Sequence, residues 1–479
     1  MTTPTTTPAT ITMTTKPAIA GCLWLALTLL PGCAASDPFE RWDDQALASR
    51  VERLSTSSGT VIGVDHEPAS IAATLETPKD AGPDWFVDQA LLHNAEVLAA
   101  KQRVERLRER VPQAMGLPDP MVTFTFGELA ETAAGQVDYI VGVQQRLPAP
   151  GTLDARGEVA RQEVVEALHD LQATLDKVRG DTARAYWAYY EATREAEVLK
   201  QNRVLLSQIE AAVGSRVRVN QADQSDLLRI SRRVASLDNQ LAVLEQRQRT
   251  AAAMLARLTS RRVAEMPAEL PTADWTAEQV DRDQLIQRSM QTNPQVQAAQ
   301  ARVATYRQKH RLAKKGRQPD FMVGVQYGAV SDSGLAPSAN GEDQIAGTVG
   351  VSIPLWTGQY DAAEREALRG MGQSLAEVRA AQDRVAFEIE EALARIDAAE
   401  QSLKRLRERM MPDAQQTIDI ALVGYRNGDV DFLQLLDDWQ ALLDDQLQET
   451  RLISELHRLE ADLQQAMGSE QPEGGRDVE

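Results

Sequence analysis

The chain has 479 residues, of which 5% are aromatic and 25% charged, and its formal net charge is -19. This length would hold two or three ordinary domains, but the few aromatics and the long tracts of Ala, Leu, Gln, Glu and Arg favour long helices. The acidic balance excludes a nucleic-acid-binding protein, because phosphate binding depends on clustered Lys and Arg, and we expect no such cluster here.

An uncharged apolar stretch lies near the N-terminus, over residues 18–30, after Lys16. It has the length of a signal-peptide core and is too short to cross a bilayer as a helix. The LPGC sequence that ends at Cys33 resembles a bacterial lipobox, in which the chain is cleaved before the cysteine and its thiol receives a lipid. We therefore predict a signal peptide over residues 1–32 and lipidation of Cys33. The alternative is an ordinary signal peptide with a chance cysteine.

The other cysteine, Cys22, lies inside the predicted signal peptide. The mature chain would then hold a single cysteine and no internal disulfide. No later stretch of sequence is apolar and long enough for a spanning helix, so we expect any part that crosses a membrane to be a closed β-barrel.

The rest of the chain repeats one order of features. A helix is predicted from His93 to about Val111, and a second from Asn293 to about Lys315, with Asn94 and Asn293 lying 199 residues apart. Asn is favoured just before a helix and Pro is tolerated at its first position, so the sequences NAEV and NPQV are typical helix starts. This spacing indicates one structural unit that occurs twice.

A pair of short strands is predicted after each of these helices. Residues 121–126 and 139–143 form the first pair, and residues 321–327 and 349–353 form the second. Alternation of apolar and polar positions, with β-branched and aromatic residues, predicts strands with two unlike faces. The small, polar connections indicate exposed loops, and prolines end the second strand of each pair.

The longest predicted elements follow each strand pair. No proline lies between residues 150 and 267 or between residues 354 and 412, which leaves room for two helices of roughly 50 to 60 residues in each half. A turn between them is predicted at Asn220 and at Gly428, residue types that tolerate left-handed backbone. Apolar residues at steps of three and four predict coiled-coil packing, as at Leu227, Ile230, Val234, Leu237, Leu241 and Leu244.

The ordered Asn-Pro helix starts, Gln-x-x-Pro-x-x-Gly strand ends and Tyr-x-x-Gly-x-x-Asp-Phe-Leu tip resemble the TolC-like outer-membrane factor family, in its lipoprotein subgroup, over residues 85–467. Three positions depart from the family pattern, where Ala95, Val217 and Asn220 replace the usual Pro, Tyr and Gly. The resemblance implies a mainly α fold with a membrane β-barrel. Duplicated long helical hairpins would form a periplasmic tunnel, and four strands from each protomer would contribute to a trimeric twelve-stranded barrel.

The resemblance also divides the chain into segments. They are the signal peptide 1–32, a lipidated N-terminal and equatorial segment 33–92, the first repeat 93–258, an equatorial connector 259–292, the second repeat 293–467 and a disordered tail 468–479. It places the protein in the bacterial outer membrane, extending into the periplasm.

The function that this family implies is a passive exit duct of a tripartite efflux system for drugs or metal ions. The implied partners are two further copies of the chain, a periplasmic adaptor protein, a proton-driven inner-membrane transporter and outer-membrane lipid, without nucleic acid. A channel for type I protein secretion is one alternative. A structural, envelope-spanning coiled-coil lipoprotein is another, although it would not need the strand pairs.

In the family, acidic residues beyond the hairpin tip form a constricting ring. On this basis Asp437 is the leading gate candidate, with Asp431 and Gln434 nearby. Three copies of Asp437 around a narrow axis would repel one another and attract cations. The alternatives are that Asp431 caps a helix and that Asp437 belongs to a solvated helix face with Asp438, Asp444 and Asp445.

The hairpin tips are expected to contact the adaptor, and the alternative, a tight turn, is compatible with docking. The candidate contact residues are Tyr425, Arg426, Asn427, Gly428, Arg218, Val219 and Asn220. The five histidines lack metal-ligand spacing, and no phosphate-binding loop or nucleophile motif occurs, so we expect neither an enzyme nor a cofactor other than the lipid on Cys33.

Overall fold

The computed structural model describes residues 77–78, 81–127, 129, 131–132, 134–218, 223–263, 266–267, 270–277, 280–332 and 340–468. These residues all belong to the compact unit Ile62–Glu479. Four predictions lie outside the described residues: the signal peptide, lipidation of Cys33, the tip residues Val219 and Asn220, and the tail after residue 468.

Each repeat contains short helices, strands and a long helical hairpin, in that order. The first repeat contains α1 (Pro83–His93), α2 (Ala95–Arg108), α3 (Arg110–Met115), β1 (Met121–Phe126), β2 (Glu131–Thr132), β3 (Gly135–Leu147), α4 (Thr152–Arg218) and α5 (Gln224–Leu258). The second contains α6 (Arg282–Thr292), α7 (Pro294–Lys315), β4 (Asp320–Val330), β5 (Gln344–Ser352), α8 (Thr357–Arg405), α9 (Met411–Asn427) and α10 (Phe432–Met467).

Two asparagines hold equivalent positions in the two repeats. The side-chain oxygen of Asn94 accepts a hydrogen bond of 2.7 Å from the Glu96 amide and so caps α2; its side-chain nitrogen donates to the Leu258 carbonyl at 3.0 Å. Asn293 likewise caps α7 and donates to the Ala466 carbonyl at 2.8 Å. The predicted helix starts are confirmed. Each Asn also joins the end of one helix to the start of another, which explains why both a donor and an acceptor are needed.

These joints explain why the predicted helix lengths are wrong. α4 has 67 residues, and α8, a π-helical turn at Leu406–Met410 and α9 run without a break over residues 357–427, whereas α5 has 35 residues and α10 has 36. One helix of each hairpin is therefore longer than predicted and the other shorter. Where α5 stops at the Asn94 joint, α2 takes its place against α4.

The π-helical turn lies just before Pro412. A proline lacks the amide hydrogen and its ring crowds the carbonyl four residues earlier, so a regular helix would break there. The wider π turn adjusts the backbone before the proline, and the helix continues into α9.

The four main strands form one antiparallel sheet in the order β1-β3-β4-β5, while β2 pairs only with β3. The register aligns Phe124 with Val141, Val141 with Tyr327, and Tyr327 with Ile345. The predicted strand pairs are confirmed, although β3 and β4 are longer than predicted and β5 begins five residues earlier. Within the described residues, β1 and β5 each have one unpaired edge.

The connector between the repeats lies against the long helices. The Tyr189 hydroxyl donates to the Pro267 carbonyl at 2.6 Å, and the Trp275 indole donates to Glu400 at 2.8 Å. The ring of His457 on α10 packs edge-on against Trp275 at 5.2 Å between centroids. The connector is therefore fixed to α4, α8 and α10. In the part of the chain that is described, none of the helices is both long and apolar enough to cross a bilayer.

Candidate functional site: the hairpin tips and the sheet

The tip of the second hairpin is a short, capped turn. Gly428 ends α9 in the left-handed region, with φ 90°, and the Asp429 amide returns to the Gly424 carbonyl at 2.9 Å. Asp431 then caps α10 by accepting from the Leu433 amide at 3.3 Å. The turn predicted at Gly428 is confirmed, and the structure gives Asp431 its alternative role as a cap.

The described part of the first tip has the same kind of helix start. Asp223 caps α5 by accepting from the Ser225 amide at 3.0 Å. Arg218, the last residue of α4, is exposed. The first tip therefore also presents a cation where its long helix ends.

The two hairpins meet through Arg216 and Tyr425. The Arg216 guanidinium donates to the Tyr425 backbone carbonyl and lies 4.7 Å from the centre of its ring, within cation–π range. Because Tyr425 is only 5% exposed, its side chain is not at the surface, so the prediction of a surface contact is wrong for that side chain. Arg426, Asn427 and Gly428 are exposed.

Acidic groups from both tips lie close to this contact. Burial first, and then the negative charges of Asp223 and Asp431, raise the pKa of Asp226. Burial also raises the pKa of Tyr425, whose hydroxyl is buried without a hydrogen-bond partner among the described residues. The tips thus bring together carboxylates that repel one another beside the buried ring of Tyr425.

The gate candidates lie on the exposed side of α10. Asp437 and Gln434 are exposed, whereas Leu435 and Trp439 on the opposite side are buried. Asp444 follows Asp437 after one heptad and is also exposed. In the described structure this face is therefore open to solvent.

The neighbouring acids, Asp438 and Asp445, are half-buried. Burial and then the charge of Asp437 raise the pKa of Asp438, and burial and then Asp444 raise that of Asp445. One carboxylate oxygen of Asp438 is buried and unpartnered within the described structure. Two acidic pairs therefore repeat at one-heptad spacing along α10.

Trp439 fixes the orientation of this acidic face. It is 0% exposed, and its indole donates to the Asn202 side chain of α4 at 3.1 Å. Asn202 in turn donates to Gln446 at 2.8 Å. The buried ring and its two-step hydrogen-bond chain hold α10 in one rotation against α4.

The sheet has two chemically different faces. The first, here called the apolar face, carries Val122, Phe124, Phe126, Tyr139, Val141, Val143, Phe321, Val323, Val325, Tyr327, Ile345, Val349 and Val351. The other, the polar face, carries glycines and four apolar residues, Met121, Ile140, Met322 and Ala346, together with Thr123, Thr125, Gln144, Arg146, Asp320, Gln326, Gln344, Thr348 and Ser352. Most apolar-face side chains are exposed, with Phe126 at 83%. An exposed apolar patch of this extent indicates a binding surface.

The apolar face continues past the last strand. Ile353 and Leu355 keep the alternation of β5 and are largely exposed, and Trp356, just before α8, is 79% exposed. A tryptophan at the end of an apolar face is typical of a membrane interface.

The sequence profile described as outer membrane efflux protein matches residues 285–469. The second repeat is therefore similar to this family. Asn94 makes the same two kinds of hydrogen bond in the first repeat as Asn293 makes in the matched second repeat. No curated protein sequence matches the chain.

Solved outer-membrane channels share the fold. The channel OprN aligns with a TM-score of 0.68 at 19% identity, covering 81% of this chain and 89% of OprN. VceC from Vibrio cholerae aligns with 0.68 at 19% identity, covering 81% and 97%. The open state of MtrE from Neisseria gonorrhoeae aligns with 0.67 at 17% identity, covering 81% and 88%. The efflux-protein fold therefore extends over most of the chain.

Sequence reasoning missed Arg216 because its partner, Tyr425, lies 209 positions away along the chain. It missed the second hydrogen bond of each Asn for the same reason. No group of three or more His, Cys, Asp or Glu side chains that could hold a metal ion occurs among the described residues.

Proposed function

We propose that the chain is one protomer of a homotrimeric outer-membrane efflux channel, the passive exit duct of a tripartite system. The observation that carries this proposal is a four-stranded sheet with one apolar and one polar face, attached directly to two long helical hairpins. Lipid suits the apolar face and a water-filled pore suits the polar face. The hairpins would continue the pore into the periplasm.

Both lateral edges of the chain suit a further copy of itself. The outer strands β1 and β5 have unpaired edges within the described residues, and unpaired strand edges are not tolerated in lipid. On the helical edges, Leu98 of α2 and Leu368 and Leu375 of α8 are exposed. Pairing β1 with β5 and α2 with α8 of a neighbouring copy would cover the strand edges and the leucines together, so three copies would close a twelve-stranded barrel.

The remaining assignments follow from this arrangement. A lipid on Cys33 would anchor the chain to the outer membrane. A periplasmic adaptor would contact the exposed tip residues Arg426, Asn427, Gly428 and Arg218, and also Val219 and Asn220, which follow Arg218 in the sequence. A proton-driven inner-membrane transporter would supply the energy. The cargo would be drugs or metal ions, and the chain itself would carry out no chemical reaction.

The gate would combine a charged ring with a mechanical contact. Three copies of Asp437 would form the ring, with Gln434 lining the same face. The contact between Arg216 and Tyr425 would hold the second hairpin against the first and keep the tip closed. Release of this contact would let the tip of the second hairpin move outward.

Planar-bilayer recording of the purified trimer tests the channel and the gate separately. We expect discrete conductance steps from the native chain and more frequent opening after Arg216→Ala, because the contact between the hairpins is lost. Arg203→Ala is the matched control, since Arg203 pairs with Asp238 at 2.5 Å between α4 and α5, within the first hairpin. A native trimer without conductance would contradict the channel and favour a structural lipoprotein.

The charged ring has its own test. Asp437→Asn should reduce the preference of the pore for cations over anions, whereas Asp444→Asn, one heptad further along the same face, should have a smaller effect. Reversal potentials in a salt gradient measure this preference. An unchanged reversal potential for Asp437→Asn would contradict the proposal of a charged ring, but it would not contradict the proposal of a channel.

A further inference from the structure

The helix that leads into the second strand pair is strongly basic. Residues 294–319, which include α7, contain seven Lys or Arg and no Asp or Glu, in a chain whose net charge is -19. The expectation that no segment of this chain clusters cations is therefore wrong. The corresponding helix of the first repeat, α2, contains Glu96 and Glu105 among its cations.

One side of α7 is neutralised by its neighbours. Arg302 contacts Glu166 of α4 at 2.8 Å and Glu377 of α8 at 3.1 Å, and Lys309 contacts Glu163 of α4 at 3.4 Å. Since α7 packs between α4 and α8, these ion pairs cover one surface of the helical layer.

Three cations lie on the opposite side of α7, and we call them the basic face: Arg307, Arg311 and Lys314. Their spacing of four and three residues places them in one row. All three are exposed, and none forms an ion pair with another described residue. Apart from a bond from Arg311 to Gln308 at 3.3 Å, the row is left to solvent or to a ligand.

The basic face ends next to the apolar face of the sheet. Lys314 lies seven residues before Phe321, the first apolar-face residue of β4. Arg317 ties this end of α7 to the start of α8 by pairing with Asp361 and with Glu364, the latter at 2.7 Å. Trp356 immediately precedes α8, so the indole and the cations lie at the same end of the sheet.

The dimensions fit a lipid headgroup layer. From Arg307 to Lys314 the row extends about 10 Å along the helix axis, and the headgroup region on each side of a bilayer is about 5 to 8 Å thick. Arg and Lys side chains are long enough to extend toward an interface from slightly outside it.

We propose that Arg307, Arg311 and Lys314 bind the headgroups of anionic phospholipids in the periplasmic leaflet of the outer membrane. The proposal rests on the proposed membrane function, since it needs the apolar face to contact lipid. It assigns one such site to each protomer. At the same spacing of 199 residues, the first repeat has Arg108, Pro112 and Met115, and Arg108 pairs with Glu105 at 3.4 Å.

The experiment compares two spin-labelled lipids around the purified, full-length trimer in phosphatidylcholine vesicles. Electron paramagnetic resonance measures how strongly phosphatidylglycerol and phosphatidylcholine associate with the protein. We expect the native protein to prefer phosphatidylglycerol by about fivefold for each cation that engages a headgroup. The preference should fall as salt is added, because screening weakens exposed charges.

The test variant carries Arg307→Gln, Arg311→Gln and Lys314→Gln, and it should lose the preference. The matched control carries Lys404→Gln, Arg405→Gln and Arg409→Gln. These three exposed cations lie at the end of α8 and in the π-helical turn, far from the sheet. The control should keep the preference for phosphatidylglycerol. Both variants remove three positive charges, so net charge cannot explain a difference between them.

Conductance is recorded from the same preparations. Conductance without a preference for phosphatidylglycerol would overturn the lipid site and leave the channel intact, whereas a preference without conductance would count against the channel alone. A test variant that keeps the lipid preference overturns the site. So does one that changes the cation-to-anion selectivity of the pore, because the row would then line the lumen.

Discussion

The core between the hairpins and the sheet use apolar side chains in opposite ways. Between the hairpins, Trp439, Phe432 and Tyr425 are buried within a single chain. In the sheet, Phe124, Phe126 and their neighbours are exposed. The hairpins are therefore stabilised by contacts that this chain makes alone, whereas the sheet needs cover from outside. Large apolar residues therefore stabilise the hairpins from inside, whereas in the sheet residues of the same types form a binding surface.

The largest expected effect is in the hairpin core. Trp439→Ala should lower the free energy of unfolding of the helical region by about 3 to 5 kcal/mol, because it leaves a cavity and removes the hydrogen bond to Asn202. Circular dichroism during denaturant titration measures this. Phe126→Ala, at the exposed end of the apolar face, should leave the helical transition unchanged. If both variants lowered the free energy of unfolding of the helical region equally, the proposed difference between the hairpin core and the sheet would be wrong.

The sheet responds to charge according to its faces. Val325→Lys places a cation on the apolar face and should destabilise the membrane-inserted state by about 2 to 4 kcal/mol. Gln326→Lys, the next residue, points to the polar face and should be tolerated. The fraction of folded trimer recovered from lipid bilayers measures both. If the two lysines are equally harmful, the assignment of the faces is wrong.

A smaller effect is expected at the tip. Gly428→Ala should cost about 1 to 2 kcal/mol, because the left-handed conformation at φ 90° is strained for a residue with a Cβ atom. Gly214→Ala is the opposite control, since Gly214 lies in the interior of α4, where an added Cβ would make only an ordinary contact with Leu227 at 3.7 Å. That variant should stabilise the helix by roughly 0.5 to 1 kcal/mol. Thermal unfolding distinguishes the two signs.

The smallest effect depends on pH. The pKa of Asp438 is raised, so the folded state binds this proton more tightly than the unfolded state, and stability falls as the pH rises from the ordinary carboxyl range through the raised pKa. Asp438→Asn should therefore increase stability near pH 7, by less than about 0.5 kcal/mol, and the gain should shrink toward pH 4. If the stability gain of Asp438→Asn grew as the pH fell, the pKa of Asp438 would be lowered and not raised in the folded state, and the prediction would be wrong. Asp419→Asn, at an exposed position of α9, serves as the control.

The sequence predicted those elements whose signals are local. α7 begins at the predicted Asn-Pro start and ends at Lys315 as predicted, and β1 agrees residue for residue because alternation is a period-two pattern. The ends of α5 and α10 could not be read in the same way, because heptads continue without reference to where a partner helix stops. α1 and α6 were not predicted.

The tip shows what sequence reasoning cannot reach. Gly428 was predicted because left-handed backbone selects glycine, and Asp431 was recognised as a possible cap from its place before a helix. The burial of Tyr425 and its contact with Arg216 depend on two segments that are distant in sequence. Only the fold brings these segments together, so the residue named as a surface contact is part of the core.

The asparagine joints have a consequence for how such a protein changes in length. Because Asn94 and Asn293 fasten the hairpins to α2 and α7 at fixed points, residues added beyond a joint lengthen only the free end of a hairpin. A seven-residue insertion in each helix of a hairpin would extend it by about 10 Å and keep the heptad phase. Since Arg216 links the two tips, both hairpins would have to grow together. The reach of the molecule can thus change in heptad steps, without alteration of the sheet.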